Sequence, residues 1–335
     1  MEAAPAKQSP VQLARELEAG DRRALGRAIT LVESSHPADR APANRLLELL
    51  APLSGRSIRV GISGVPGVGK STFIESLGNL VIDRGHKVAV LAVDPSSALS
   101  GGSILGDKTR METLSRRLEA FIRPSPTGGT LGGVTRHTRE TLLLVESAGF
   151  DVVIVETVGV GQSETAVADM TDLFLLLLLP GGGDELQGIK RGIVELADVI
   201  VVNKADREMA AAADRAAADY RSALRFLRPR SARWEVPVAT CSALEGRGLD
   251  HIWSLIGKFR ATMTESGDLQ DKRSAQARQW LWSETAENLM SRLRQDPSIR
   301  ERLQALEAAV SAGQVSPRVA AEQLVDRFWK TGESK

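Results

Sequence analysis

Short apolar runs with almost no polar residues in them constrain the fold of this chain most. There are six such runs: 58–63 (IRVGIS), 87–94 (KVAVLAVD), 151–157 (DVVIVET), 173–179 (LFLLLLL), 198–203 (DVIVVN) and 236–240 (VPVAT). A strand that exposes one face to water alternates apolar and polar residues, whereas a strand covered on both faces does not. The runs therefore predict the buried strands of a mainly parallel sheet.

Amphipathic stretches with helical spacing separate these runs along the chain. Helices are predicted at 70–83, 107–119, 134–148, 185–197, 208–227 and 247–262. Strands that alternate with helices in this way are typical of a parallel sheet with helices packed on its faces. We therefore predict an α/β fold, a mainly parallel sheet flanked by helices.

Both ends of the chain are predicted to be helical. Residues 11–53 carry apolar positions at helical spacing, and helical periodicity replaces the strand pattern after Gly267. We predict three parts: an N-terminal helical extension (1–55), an α/β core (56–265) and a C-terminal helical arm (266–335).

Composition excludes several classes of protein. The 43 Lys and Arg residues against 42 Asp and Glu residues give a net charge of +1, which provides no global field for nucleic acid or an anionic membrane. One Cys and four His residues leave no disulfide framework or Cys-rich metal cluster, and a lone thiol fits a reducing compartment.

No signal peptide or presequence is recognised, and the run 173–179 is far shorter than the ~20 residues of a membrane span. We expect a cytoplasmic protein.

The sequence GVPGVGKS at residues 64–71 matches the P-loop pattern GxxxxGK[ST] between a predicted strand and a predicted helix. Backbone N–H groups of such a loop face phosphates, its lysine reaches the β- and γ-phosphates, and its serine hydroxyl ligates Mg²⁺. The alternative to a phosphate-binding loop is a structural glycine turn followed by a surface lysine. We predict that the phosphate-binding residues are Gly64, Val65, Pro66, Gly67, Val68, Gly69, Lys70, Ser71 and Thr72.

The sequence NKAD (203–206), at the end of a predicted buried strand, predicts which base of the nucleotide the protein binds. The carboxylate of Asp206 can accept hydrogen bonds from N1–H and the exocyclic amine of guanine, a donor pair that adenine lacks. The next strand is followed by Ser242-Ala243-Leu244, which fits the loop whose backbone contacts the guanine oxygen. GTP and GDP are therefore the predicted ligands, with base contacts from Asn203, Lys204, Asp206, Ser242, Ala243 and Leu244.

Two acidic residues follow strands that point to the same phosphate site. Asp94 ends one strand, and Glu156 opens the sequence ETVG, where many GTPases carry DxxG. Such acids hold Mg²⁺, and the N–H of Gly159 could sense the γ-phosphate. Ser71, Asp94 and Glu156 are the predicted metal residues, although either acid could instead cap a helix or face solvent.

Three polar or glycine-rich segments resemble nucleotide-dependent switches. They are 94–110, 159–164 (GVGQSE) and 181–190 (GGGDELQGIK). Lys190, in the third segment, is a candidate catalytic residue beside Lys70, Asp94 and Glu156, and a solvated helix face is the alternative for it.

Seven sequences together resemble the MeaB family of GTPases, the G-protein chaperones of adenosylcobalamin-dependent methylmalonyl-CoA mutase. They are GVPGVGKST (64–72), AVDPSS (92–97), GGSILGDKTRM (101–111), RPSPTGGTLGGV (123–134), ETVGVGQSE (156–164), GDELQGIKRGI (183–193) and NKAD (203–206). The resemblance covers about 58–250 and identifies the core as a P-loop GTPase.

The resemblance also implies partners. It implies a homodimer to which the C-terminal helices contribute, and GTP hydrolysis that gates adenosylcobalamin loading from an adenosyltransferase into the mutase and protects or reactivates the mutase. By matched position, Lys70, Ser71 and Thr72 serve phosphates and Mg²⁺, while Gln187 and Lys190 lie in the switch that reports partner binding. Related nickel-insertion GTPases typically have His- or Cys-rich motifs, and this sequence lacks them, which disfavours the alternative of a metallocentre-assembly GTPase.

Three functional readings stay open at the level of sequence. The first is a regulatory GTPase whose slow hydrolysis a mutase accelerates, and the second is a P-loop kinase of a small molecule or transport protein. The third is a passive nucleotide-binding scaffold. Four arginines could assist hydrolysis in cis: Arg110, Arg136, Arg139 and Arg191.

Overall fold

The computed structural model describes residues 8–93, 111–123, 131–157, 163–181, 191–226 and 231–332. Its strands are β1 (Ile58–Gly64), β2 (Val88–Val93), β3 (Ala120–Arg123), β4 (Val152–Thr157), β5 (Leu173–Leu178), β6 (Val199–Val202) and β7 (Val238–Thr240). Its helices are α1 (Pro10–Glu18), α2 (Arg22–Val32), α3 (Pro37–Leu50), α4 (Lys70–Asp83), α5 (Glu112–Ser115), α6 (Leu131–Ser147), α7 (Ser163–Ala168), α8 (Arg191–Leu196), α9 (Ala210–Leu224), α10 (Leu249–Glu265), α11 (Asp268–Gln295), α12 (Pro297–Ser311) and α13 (Pro317–Gly332).

The seven strands form one sheet in the order β3-β2-β4-β1-β5-β6-β7, and neighbouring strands run parallel. Side chains of β5 show why the sequence runs lack polar alternation. Leu173, Leu175 and Leu177 join the apolar core on one face of the sheet, while Phe174 and Leu176 join the core on the other face. Both faces are covered, which confirms the predicted α/β class with a mainly parallel sheet.

The N-terminal helices extend the core on one face of the sheet. Leu17 of α1, Leu25 of α2 and Leu46 of α3 are each fully buried in the same cluster as Phe174. The side chains of Ser9 and Asp21 cap α1 and α2 by accepting hydrogen bonds from backbone N–H groups. These helices are therefore held by burial as well as by their own caps.

A buried ion pair ties the start of β1 to α6 at the amino edge of the sheet. Arg59 donates two hydrogen bonds to Glu146 at 2.7 and 2.8 Å, and Gly55 N and the Ser57 hydroxyl donate two more. Burial alone would raise the pKa of Glu146, but the charge and hydrogen bonds of Arg59, with those of Ser57 and Gly55, bring this pKa below its ordinary value. The network fixes the junction between the N-terminal helices and the sheet.

The chain divides into two compact units, 1–272 and 273–335, and the boundary falls within α11. In the second unit, α12 and α13 pack on each other, with Ile299, Leu306 and Ala320 buried. The predicted boundaries at 55 and 265 stay predictions. Among the described residues, no helix is both long enough and apolar enough to cross a membrane.

The strand β3 is absent from the sequence prediction, which places a helix over 107–119. In the described part of that range the helix covers only Glu112–Ser115, and Ala120–Arg123 pairs with β2 at the edge of the sheet. Only Ala120 of this strand is fully buried. A four-residue edge strand buries too few residues to produce a recognisable apolar run.

Candidate nucleotide-binding site

The loop between β1 and α4 forms the centre of the site. It lies at the carboxyl edge of the sheet, where ligands of open α/β sheets bind. Gly69 caps α4 with φ of +88°, and a Cβ on it would lie 3.0 Å from Nδ2 of Asn203. Positive φ and this close approach together explain why a glycine stands immediately before Lys70.

Lys70 begins α4 and turns its side chain back over the loop. Its Nζ donates to the carbonyl of Gly64 at 2.7 Å. Burial lowers the pKa of Lys70, and the negative charges of Glu156 and Glu164 oppose that effect. Ser71 is half-buried and Thr72 is exposed on the first turn of the same helix. The loop therefore presents one cation and a helix N-terminus at a single point, which is suited to binding an anion.

Asn203 joins the loop 65–69 to the loop after β7. Its Nδ2 donates to the carbonyl of Val68 at 2.9 Å, and its Oδ1 accepts from the N–H of Ala243 at 3.1 Å. Asn203 is 1% exposed, and its side-chain amide makes hydrogen bonds that hold the two loops in place. The structure thus brings the two predicted loops into direct contact through this one amide.

The remaining predicted base-binding residues lie around this amide. Ser242 donates to the carboxylate of Asp206 and also accepts from the N–H of Glu245. Lys204 has a positive φ of 58°, which is uncommon for a residue other than glycine. Leu244 is 79% exposed beside these groups. The half-buried carboxylate of Asp206 is thereby oriented by a serine of the second loop.

Cys241, the single cysteine of the chain, lies behind the base loops. Its thiol donates to Oδ1 of Asn203 at 3.3 Å. Burial raises the pKa of Cys241 to about 12, and the charge of Asp206 adds to the effect. The thiol is therefore protonated at neutral pH and unreactive.

Two buried carboxylates lie near Lys70. Glu156, on β4 opposite Ile62 of β1, is 7% exposed, and Glu164, in the first turn of α7, is 1% exposed. Glu156 has a role predicted from the sequence, whereas Glu164 is predicted only as the last residue of a switch segment. The burial of Glu164 could not be predicted from the sequence. Its place in ETVGVGQSE, a motif of the predicted site, is the signal that could have marked it.

Several predicted site residues lie outside the described part of the chain: Asp94, Arg110, Gly159, Gln187 and Lys190. Ser71 and Glu156 of the predicted metal set are described, and hydroxyl and carboxylate oxygens are hard ligands suited to Mg²⁺. No group of three or more His, Cys, Asp and Glu residues that could hold a metal occurs in the described ranges. Arg136 pairs with Glu140 at 3.2 Å, Arg139 is half-buried on α6, and Arg191 begins α8.

Comparison with known proteins decides the family. A protein-family model described as "Methylmalonyl Co-A mutase-associated GTPase MeaB" matches residues 25–298. The chain belongs to the MeaB family of GTPases. The family confirms the resemblance drawn from the motifs, and this protein is a GTPase that binds guanine nucleotide.

Individual relatives agree with this assignment. A putative GTPase of Caulobacter vibrioides is 55% identical over 316 residues, which cover 94% of this chain and 97% of that protein. A Mus musculus protein named "Methylmalonic aciduria type A homolog, mitochondrial" is 50% identical over 319 residues, which cover 92% of this chain and 77% of that protein. A crystal structure titled "LAO/AO transport system kinase" is 41% identical with a TM-score of 0.75, covering 98% of this chain and 100% of that chain.

Proposed function

We propose that this MeaB-family GTPase is a chaperone of an adenosylcobalamin-dependent acyl-CoA mutase, namely methylmalonyl-CoA mutase or a close relative. GTP binding and hydrolysis gate the transfer of the cofactor from an adenosyltransferase into the mutase, and protect or reactivate the mutase. The family description and the name of the mouse relative support the association with this metabolism. We place the protein in the cytoplasm, where a single cysteine stays reduced.

The nucleotide lies across the two loops that Asn203 joins. Phosphates contact the backbone N–H groups of 64–72 and Nζ of Lys70, and guanine contacts Asp206. Two hydrogen bonds carry this assignment, one that Asn203 donates to Val68 and one that it accepts from Ala243, because they hold the phosphate loop and the base loop at a fixed separation.

Ser71 and Glu156, with Asp94, would hold Mg²⁺, which would neutralise phosphate charge. The alternative role for Glu156 is to orient the attacking water. Gly159 reports the γ-phosphate, and Lys190 lies in the switch that reports partner binding. Glu156 is buried on the strand next to β1, and its charge acts on Lys70 of the phosphate loop, which supports its share of this assignment.

We assign dimerisation to α11, most of which belongs to the second unit. None of its 28 residues is buried, and four large apolar side chains on it are exposed: Leu281 (63%), Trp282 (72%), Leu289 (46%) and Met290 (49%). Several large apolar side chains exposed on one helix indicate an interaction surface. A second copy of this chain is the proposed occupant.

A kinase is the second candidate, because the 41% identical crystal structure carries a kinase title. The two functions differ in where the γ-phosphate goes. A kinase transfers it to an acceptor molecule, whereas a GTPase transfers it to water and releases inorganic phosphate.

The test measures GTP turnover with and without an apo acyl-CoA mutase, while mass spectrometry follows the phosphate. We expect turnover to rise with the mutase and every γ-phosphate to be recovered as inorganic phosphate. Lys70→Ala is the control, since it removes the cation of the phosphate loop. Failure of any cobalamin-dependent acyl-CoA mutase to bind the protein or to change its turnover contradicts the chaperone function, and a phosphorylated acceptor supports the kinase.

A further inference from the structure

A cavity separate from the nucleotide site lies at the amino edge of the sheet. Its volume is about 470 Å³, which is within the range of small-molecule sites. Asp172 and Asp198 line it, and they immediately precede β5 and β6 respectively. The residues that line this amino-edge cavity all belong to the first unit, 1–272, and none of them is assigned to the nucleotide site.

One part of the lining is apolar and rigidly held. Phe259 and Met263 of α10 are 3% and 6% exposed, and Leu269 of α11 packs against the same core cluster. The ring of Trp234 packs edge-to-face on Phe259 with centroids 5.1 Å apart, and its Nε1 donates to the carbonyl of Asp198 at 2.8 Å. These contacts fix the apolar wall (Phe259, Met263 and Leu269) relative to Asp198, so a ligand would enter a preformed site.

The polar part of the lining contains a carboxylate oxygen that can accept a further hydrogen bond. Asp198 is 8% exposed, and its Oδ2 accepts from the N–H of Phe174 at 2.9 Å. Within the described ranges, no group donates a hydrogen bond to the other oxygen, Oδ1. A buried carboxylate oxygen without a donor favours the entry of a ligand that supplies one.

Lys272 lies close to Asp198 but does not supply this donor. Its Nζ is 3.7 Å from Oδ2 of Asp198, beyond hydrogen-bond distance, and donates instead to the backbone carbonyl of Asp172 at 2.6 Å. A donor for Oδ1 must therefore come from outside this set of side chains. A positively charged donor suits it best, because hydrogen bonds between an ammonium and a carboxylate are about twice as strong as neutral ones.

We propose that the amino-edge cavity binds a small organic amine in its protonated form. The ammonium of the ligand donates to Oδ1 of Asp198, and its hydrocarbon part packs on the apolar wall. The strand β6 separates this site from the nucleotide, since Asp198 precedes β6 and Asn203 follows it. Both sites can therefore be occupied at once.

The test is the binding of 2-phenylethylamine to the whole chain saturated with GDP and Mg²⁺, measured by saturation-transfer NMR. GDP fills the nucleotide site, so the binding observed is elsewhere. 2-Phenylethanol carries a hydroxyl in place of the ammonium, and 3-phenylpropionate carries a carboxylate. We expect the amine to bind with a dissociation constant of about 1 mM, the alcohol about tenfold more weakly or worse, and the carboxylate not at all.

Two variants change the charge of the cavity in opposite directions. Asp198→Asn keeps an oxygen that can accept from Phe174 and removes the negative charge, so the affinity for the amine should fall about tenfold or more. Lys272→Gln removes the ammonium 3.7 Å from Asp198, and the affinity for the amine should rise because a competing cation is lost. The matched controls are Asp219→Asn on α9 and Lys258→Gln on α10, both exposed, which should leave the affinity unchanged.

Three results would overturn the proposal: no binding of the amine to the GDP-saturated protein, equal binding of the alcohol, or wild-type affinity for the amine in Asp198→Asn. The last result would mean that the amine binds another surface. If Asp198→Asn is not recovered folded, Lys272→Gln decides: tighter binding of the amine supports the site, and unchanged or weaker binding contradicts it.

Discussion

Asn203 donates from Nδ2 to the carbonyl of Val68 at 2.9 Å, and this hydrogen bond joins the end of β6 to the phosphate loop. The Oδ1 atom of the same side chain holds the loop after β7 through Ala243. The two loops that contact opposite ends of a nucleotide in our proposal are therefore one connected structure. Removing a single amide should affect both of them.

Asn203→Ala should lower the free energy of unfolding by about 1–3 kcal/mol, because it leaves buried backbone groups of Val68 and Ala243 without their partner. GDP affinity should fall about tenfold or more as the loops lose their fixed separation. Urea unfolding and calorimetry check the two effects. Asn79→Ala, which removes a half-buried amide of α4, is the control and should leave GDP affinity within twofold. Native GDP affinity in Asn203→Ala would contradict the account.

Asp206→Asn should change the nucleotide preference of the protein from guanine to xanthine. The amide oxygen of asparagine can still accept from N1–H, but its NH₂ group donates where the carboxylate accepted from the exocyclic amine of guanine, and xanthine carries a carbonyl in place of that amine. We expect GTP affinity to fall about tenfold to a hundredfold and xanthosine triphosphate to bind better than GTP. Competition calorimetry measures both. Glu208→Gln, an exposed substitution two residues away, should change neither value. Unchanged guanine preference in Asp206→Asn would remove Asp206 from the base site.

Lys70→Ala and Glu156→Gln should separate binding from hydrolysis. Loss of the Lys70 cation weakens nucleotide binding and slows hydrolysis together, because Lys70 meets phosphate charge in both the ground state and the transition state. Glu156→Gln should chiefly lower kcat, with KM changed by less than about threefold. Steady-state phosphate release at several GTP concentrations gives both constants. Wild-type kcat in Glu156→Gln would exclude Glu156 from the mechanism.

The strands of the fold were largely predictable because their two-sided burial leaves long apolar runs. Leu173 to Leu178 fills both cores and is recognisable without any alignment. The edge strand Ala120–Arg123 was not predictable, since it gains its structure from pairing with β2 rather than from an apolar pattern. Whether a short edge segment forms a strand depends mainly on the strand it pairs with and less on its own residues.

The site was predictable where a motif fixes chemistry locally. The phosphate loop and residues 203–206 were predicted from their residue types and order alone. Their contact through Asn203 depends on the parallel arrangement of β1, β6 and β7, which the sequence does not encode locally. The burial of Glu164 likewise follows from the packing of α7 on Gly61.

The buried pair of Arg59 and Glu146 should make stability depend on pH below neutrality. Glu146 has a folded-state pKa below its ordinary 4.5, so its stabilisation is fully present above about pH 5 and is lost as pH falls through the folded-state pKa. Glu146→Gln should cost about 3 kcal/mol at pH 7, and the difference from wild type should shrink below pH 4.5. Urea unfolding at several pH values measures it. Glu48→Gln, from an exposed pair with Arg45, should cost less than about 0.5 kcal/mol. A cost that does not depend on pH would contradict this role.

Trp282→Glu should disrupt the proposed dimer. Burying a charge in place of a large exposed aromatic at an interface should weaken association by about 2 kcal/mol or more, which is about thirtyfold. Sedimentation velocity across a concentration series gives the dissociation constant. Leu118→Glu changes a comparably exposed apolar residue of the first unit and should leave association unchanged. A wild-type protein that stays monomeric at all concentrations would contradict the dimer.

The transfer of adenosylcobalamin into an apo acyl-CoA mutase is the direct test of the proposed chaperone function. An adenosyltransferase carrying the cofactor is mixed with the mutase and this GTPase, and the cobalamin absorbance reports transfer. We expect efficient transfer with GTP, arrested transfer with a non-hydrolysable GTP analogue, and an arrest also with Glu156→Gln and GTP. Transfer that proceeds equally with GTP, with the analogue and without nucleotide would contradict the claim that GTP hydrolysis gates loading.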